Sequence, residues 1–173
     1  MDDQRYLYIS DTGRDEVRRY KIGDKNGTLV AGGYGKGARL SQLNGPGYVF
    51  VDQQLAVYVS DFNNHRVMKW NKGATEGIVV AGGQGQGIAL TQLSYPQGLF
   101  VDAMGTVYVA DSANNRVMRW PQGVKQGTVI VGGNGQGKEA NQFNFPRGLS
   151  LDRYGNLYVV DRRNHRVQRF SIE

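Results

Sequence analysis

The feature that most restricts this chain is its period. YISDTGRDEVRRY, YVSDFNNHRVMKW, YVADSANNRVMRW and YVVDRRNHRVQRF begin at Tyr8, Tyr58, Tyr108 and Tyr158, 50 residues apart each time with no insertion. GGYGKG from Gly32, GGQGQG from Gly82 and GGNGQG from Gly132 keep that spacing, as do Pro46, Pro96 and Pro146. A fixed period of roughly 20–50 residues marks one supersecondary unit stacked on copies of itself. Residues 1–173 therefore read as a single domain, with units starting near residues 1, 46, 96 and 146.

Each unit holds four short strand patterns. In the second unit they are Tyr48–Val51, Val57–Ser60, Arg66–Trp70 and Ile78–Ala81. They are rich in Val, Tyr, Phe and Trp, which suit a pleated, buried surface. Turn signals separate them: NKGATEG and PQGVKQG end in a glycine suited to positive φ, and Asn26-Gly27 is a hairpin signal in the first unit. No stretch carries a sustained helical period. Val57 and Val59 alternate with Tyr58, so both faces of a sheet are apolar, as a sheet packed between two others requires. The expected fold is all-β: a β-propeller of four-stranded antiparallel blades. The first unit lacks its innermost strand and the last its outermost, which leaves about 3.5 blades. Closed rings use roughly four to eight blades. The chain is thus expected to be a partial propeller, a ring completed by a second chain, or a strained four-blade ring.

Glycine-rich loops after strands also cradle phosphates, but such a loop needs a helix behind it whose N–H groups face the anion. Here ALTQLSYPQG follows, short and stopped by Pro96, and Gly37 follows Lys36 where a phosphate loop requires Ser or Thr. The loop also occurs three times. Its glycines are expected to serve the path of the chain.

PQGLFVD followed by VYVADSANNRV resembles the NHL repeat, and the resemblance runs over nearly the whole chain. Asp61, Asn64 and Arg66 fit its motif, as do Asp111, Asn114 and Arg116, and Asp161, Asn164 and Arg166. The first unit departs from it, with Arg14 in the Asn slot and Glu16 in the Arg slot. The resemblance implies a propeller that presents one face to protein partners or, in some relatives, to single-stranded RNA. Kelch and WD repeats fit less well: Trp70 and Trp120 precede the double glycines, and there is no Trp-Asp pair.

Strand order in a propeller puts the glycine loops and the Asp-x-x-Asn-x-Arg turns on one face. The repeated Asp, Asn and Arg residues are expected to be structural, the carboxylate accepting turn N–H groups and the arginine tying strands or neighbouring blades. Asp52, Asp102 and Asp152 are read the same way, and His65 and His165 as solvated turn residues. The charge that does not repeat is Arg162-Arg163, which stands where other units have Phe62-Asn63 and Ser112-Ala113. With Lys36, Arg39, Lys138 and Arg147 these arginines make a candidate basic patch. Tyr34 and Tyr95 are candidate stacking residues for bases. The net charge of +6 favours anionic partners mildly.

No nucleophile, base and orienting residue stand together apart from the repeat. The chain has no cysteine, hence no disulfide framework or cysteine metal site. The expectation is a non-catalytic interaction scaffold without cofactor or metal. Its partner would be a protein, possible RNA, or the chain itself, as a homodimer or with the missing blades of a longer chain. No membrane partner is expected, since no apolar run approaches about 18 residues. The alternative is a metal-dependent enzyme of the lactonase-like or amidating-lyase-like propellers, which the blade pattern also resembles. That resemblance implies a divalent metal held by inner strands, yet GYVFVD, GLFVD and GLSLD carry acids only at their ends. A further alternative is an engineered or natural piece of a propeller that self-assembles.

Overall fold

The computed structural model describes residues 6–172. Fourteen strands run in sequence order: β1 (Tyr6–Asp11), β2 (Glu16–Lys21), β3 (Thr28–Gly32), β4 (Pro46–Val51), β5 (Val57–Asp61), β6 (Arg66–Trp70), β7 (Ile78–Gly82), β8 (Pro96–Val101), β9 (Val107–Asp111), β10 (Arg116–Trp120), β11 (Thr128–Gly132), β12 (Pro146–Leu151), β13 (Asn156–Asp161) and β14 (Arg166–Ser171). They form four antiparallel sheets, β1–β3, β4–β7, β8–β11 and β12–β14. The outer two sheets have three strands and the inner two have four. Inner strand β8 lies against both β4 and β12. The chain is a partial β-propeller.

The core lies between the sheets, where each blade presses one face on the next. Val17, Ala31 and Leu43 of the first unit meet Val57, Val59, Met68 and Trp70 of the second. Tyr58, Val67 and Leu93 then meet Leu99, Val107, Val109, Met118 and Trp120 of the third. Val117 and Phe143 meet Leu157 and Val159 of the fourth. Period-2 alternation supplies both faces of every inner blade, and its outward sides remain open at the ends of the stack. Val167 is 61% exposed, whereas Val67 and Val117, its equivalents, are fully buried.

Several boundaries differ from the sequence reading. The first strand of each complete blade begins at the proline, two residues early, because Pro46 pairs with Asp61 across a bulge before Val49. The turns after β2, β6 and β10 take positive φ at Gly23, Gly73 and Gly123, not at the later glycine. In the first unit the Lys21 amide donates to Asp24, so the turn closes at Ile22-Gly23 and Asn26-Gly27 is not its hairpin corner. Gly77 and Gly127 are glycines for another reason. A Cβ there would stand 2.9 Å from the Trp70 ring and 2.6 Å from the Trp120 ring. The glycine loops behave as expected: Gly82, Gly83 and Gly85 all have positive φ. Short 3-10 turns, Phe62–Asn64, Ser112–Asn114 and Arg162–Asn164, follow β5, β9 and β13 and end on left-handed His65, Asn115 and His165.

Candidate functional site: an aromatic and arginine cleft on the loop face

The loop face is built by the repeated triad. Asp61 Oδ2 accepts from Arg66 Nε at 2.7 Å and from Asn64 Nδ2 at 2.8 Å, while its Oδ1 accepts the Asn44 amide at 2.7 Å. Asn64 also donates to the Gly37 carbonyl. Arg66 also donates from Nη1 to the Ala38 carbonyl and from Nη2 to the carbonyls of Arg39 and Gln42. Each triad therefore staples the glycine loop arriving from the preceding blade. Arg116 and Arg166 repeat the pattern on Ile88, Ala89 and Gln92 and on Lys138, Glu139 and Gln142. Burial pushes the Asp61 and Asp111 carboxyls up, against the pull of their asparagine, backbone and arginine donors. These bonds tie the glycine loop of one blade to the turn of the next.

In the first unit the equivalent residues bond within their own sheet and its turns. Asp11 accepts the Gly13 and Arg14 amides, and Glu16 turns to Arg18 at 2.6 Å. Arg18 in turn donates to the Gly27 carbonyl.

Above this scaffold lies a cleft of about 340 Å³, lined by Phe62, Tyr95, Gln97, Ser112, Phe145, Arg147, Arg162 and Arg163. Its lining contains no acid. The 3-10 turns supply Phe62, Ser112, Arg162 and Arg163; the entries to β8 and β12 supply the rest. Phe62 and Tyr95 pack with ring centroids 4.9 Å apart. The Arg163 guanidinium sits 4.0 Å from the Phe145 ring centroid, a cation–π distance. Tyr95 and Phe145 have φ of 52° and 54°, at the position where the first unit has Gly45. A bulky residue held there stores on the order of 1–3 kcal/mol of strain, and such strain clusters at binding sites.

A hydrogen bond across each blade junction sets these two aromatics. The left-handed residue of one blade accepts the amide before the next blade's proline. Asp15 Oδ1 accepts from Gly45 at 2.7 Å, His65 Nδ1 from Tyr95 at 3.1 Å, and Asn115 Oδ1 from Phe145 at 2.9 Å. His65 is thus not the solvated turn residue expected from its sequence context. Its ring also meets Tyr95 edge-on at 4.6 Å, and burial pulls its pKa below the usual 6.5.

Of the sequence candidates, the structure brings together Tyr95, Arg147, Arg162 and Arg163. Lys36, Arg39 and Lys138 lie exposed on the glycine loops and do not line the cleft. Tyr34 lines a separate groove between the first two sheets, with Tyr8 and Trp70. The sequence reading missed Phe62 and Phe145. Their signal was present: they occupy columns that vary between units, beside columns that do not. Among the described residues no group of three or more His, Asp or Glu side chains is placed to hold a metal.

Residues 93–120 and 143–170 match the NHL repeat model. Those two segments are NHL repeats by that match. No curated protein matches the sequence. Solved structures do resemble this chain. One is a protein of unknown function from Bacteroides thetaiotaomicron, with TM-score 0.78 and 18% identity over 98% of this chain and 45% of that one. Another is an auxiliary nutrient binding protein of the same organism, with TM-score 0.72 and 18% identity over 96% and 45%. A third is a gluconolactonase of Xanthomonas campestris, with TM-score 0.71 and 16% identity over 98% and 55%. At these identities the likeness is one of fold. This chain spans about half the length of each.

Proposed function

We propose that the chain is a non-catalytic propeller scaffold whose loop face binds an anionic partner at the aromatic and arginine cleft, with single-stranded RNA as the occupant that fits its chemistry. The observation that supports this is the meeting of Arg147, Arg162 and Arg163 with Tyr95, Phe62 and Phe145 in one acid-free cleft. Arginines neutralise phosphates, and aromatic faces accept bases whatever their sequence. A fluorescence anisotropy titration with a labelled oligouridylate tests it. Binding is expected to weaken steeply with salt and to weaken on Arg162→Ala or Arg163→Ala. Removing one arginine–phosphate pair should flatten the salt slope by about 0.7. Absence of binding at low salt, or affinity indifferent to salt, overturns the reading.

The same scaffold reading extends to self-association through the open end sheets. The last sheet presents Val160 and Val167, and the first presents Leu7 and Ile9, all exposed. These are the faces that inner blades bury against each other, which supports a second copy docking head to tail.

A further inference from the structure

We propose that His65 is a proton-sensitive positioning residue of the cleft: its neutral ring fixes Tyr95 in the cleft wall, and its protonated ring releases it. The bond between them uses Nδ1 as acceptor for the Tyr95 amide. A neutral imidazole has one acceptor nitrogen, and an imidazolium has none. Protonation therefore turns an N–H···N bond into two facing donors at a half-buried junction. Tyr95 tolerates the loss poorly. It holds φ of 52° without a glycine's freedom, and only its neighbours keep it there.

The other junctions isolate the effect. Asn115 performs the same task for Phe145 with an amide oxygen that does not titrate, and Asp15 performs it for Gly45 with a carboxylate. Three junctions share one geometry, and only the one at His65 has an imidazole acceptor, which a single proton converts to a donor. The charged groups facing the His65 ring are Asp61 on its own turn and Asp111 on the adjoining blade. Both favour the proton, and burial outweighs them. Arg66, next in sequence, is committed to Asp61. His165 occupies the equivalent position on the last sheet and is exposed.

Only the consequence for binding rests on the cleft reading; the switch itself does not. Amide hydrogen exchange, corrected for intrinsic rates, tests it between pH 7.5 and 5. Protection of the Tyr95 amide is expected to fall at least about tenfold across that range, while the Phe145 amide keeps its protection. His65→Asn borrows the residue that already works at 115, so it should fold and hold Tyr95 at both pH values. Asn115→His should transfer the response to Phe145. The proposal is overturned if Tyr95 and Phe145 respond alike in the unaltered protein, or if His65→Asn leaves the response in place. Oligouridylate binding in the same buffers separates the two readings. A Tyr95 response without binding at any pH upholds the switch and removes the RNA reading. Binding that is insensitive to His65→Asn, with no Tyr95 response, does the reverse.

Discussion

Arg66, Arg116 and Arg166 hold equivalent positions and make the same bonds, yet they differ in burial. Their side chains are 7%, 4% and 31% exposed. The difference follows from place in the stack, since among the described residues the last sheet has no fourth strand beside its arginine. Removing one partner of a buried pair leaves the other charge uncompensated, at a cost of about 3–5 kcal/mol. Arg116→Ala should approach that range in urea denaturation, and its stranded carboxylate at Asp111 should take up a proton. Arg166→Ala should cost less than half as much, because water reaches Asp161's partner already. This triad was readable in the sequence because repetition and opposite charge pointed to the same three residues. The role of His65 was not. It depends on a left-handed backbone at 65 and on an amide 30 residues away, and neither is written in the spacing. Its protonation carries a stability signature as well. The folded pKa lies below the unfolded value near 6.5, so the unfolded state binds more protons in that window. Stability is full above about pH 6.5 and falls as the pH drops through it toward the folded value.

At the scale of strands and turns, the period located every strand to within two residues but misplaced the positive φ values. The reason is physical. Glycine at a turn admits φ > 0, but Gly77 and Gly127 are glycines because a tryptophan ring occupies the place of a side chain. Sequence alone does not separate the two causes. The tight turns from β4 to β5, β8 to β9 and β12 to β13 give the reverse case. Gly105 and Gly155 take φ of 79° and 80°, and Leu55 is forced to φ 62° at the same position. The Asp52 carboxylate holds that turn through the Gln54 and Ala56 amides, so the conformation persists despite the leucine. Leu55→Gly is expected to relieve about 1 kcal/mol of left-handed strain. The gain is reduced by the freedom glycine adds to the unfolded chain. A net rise in Tm of about 1–3 °C by thermal denaturation fits that balance. A fall would mean that Leu55 contributes more through packing than its backbone costs.

At the scale of the whole molecule, the stack has two unlike ends. The first sheet's outward face carries Leu7 and Ile9 where the second blade has Val57 and Val59. Arg18 replaces Met68 and Met118 in the same row, and Glu16 and the Gly27 carbonyl tie its charge down. The last sheet's outward face carries Tyr158, Val160 and Val167 where inner blades have Tyr58, Ser60 and Val67. One end thus offers the surface a blade receives on, and the other offers the surface a blade delivers. An interface between them is heterologous, and heterologous interfaces close into rings when the rotation per subunit allows. Four sheets that already fan about a common line supply that rotation. Two copies would make a ring within the range of roughly four to eight blades. Multi-angle light scattering on this 173-residue chain should therefore report a species of two chains. Val167→Arg should convert it to a monomer, because a buried valine is worth about 1.5–3 kcal/mol and an unpaired guanidinium there adds a desolvation cost. A stable monomer of the unaltered chain would overturn head-to-tail closure. It would also leave the triads, the cleft and the His65 junction where they are, since all three are built between blades of a single chain.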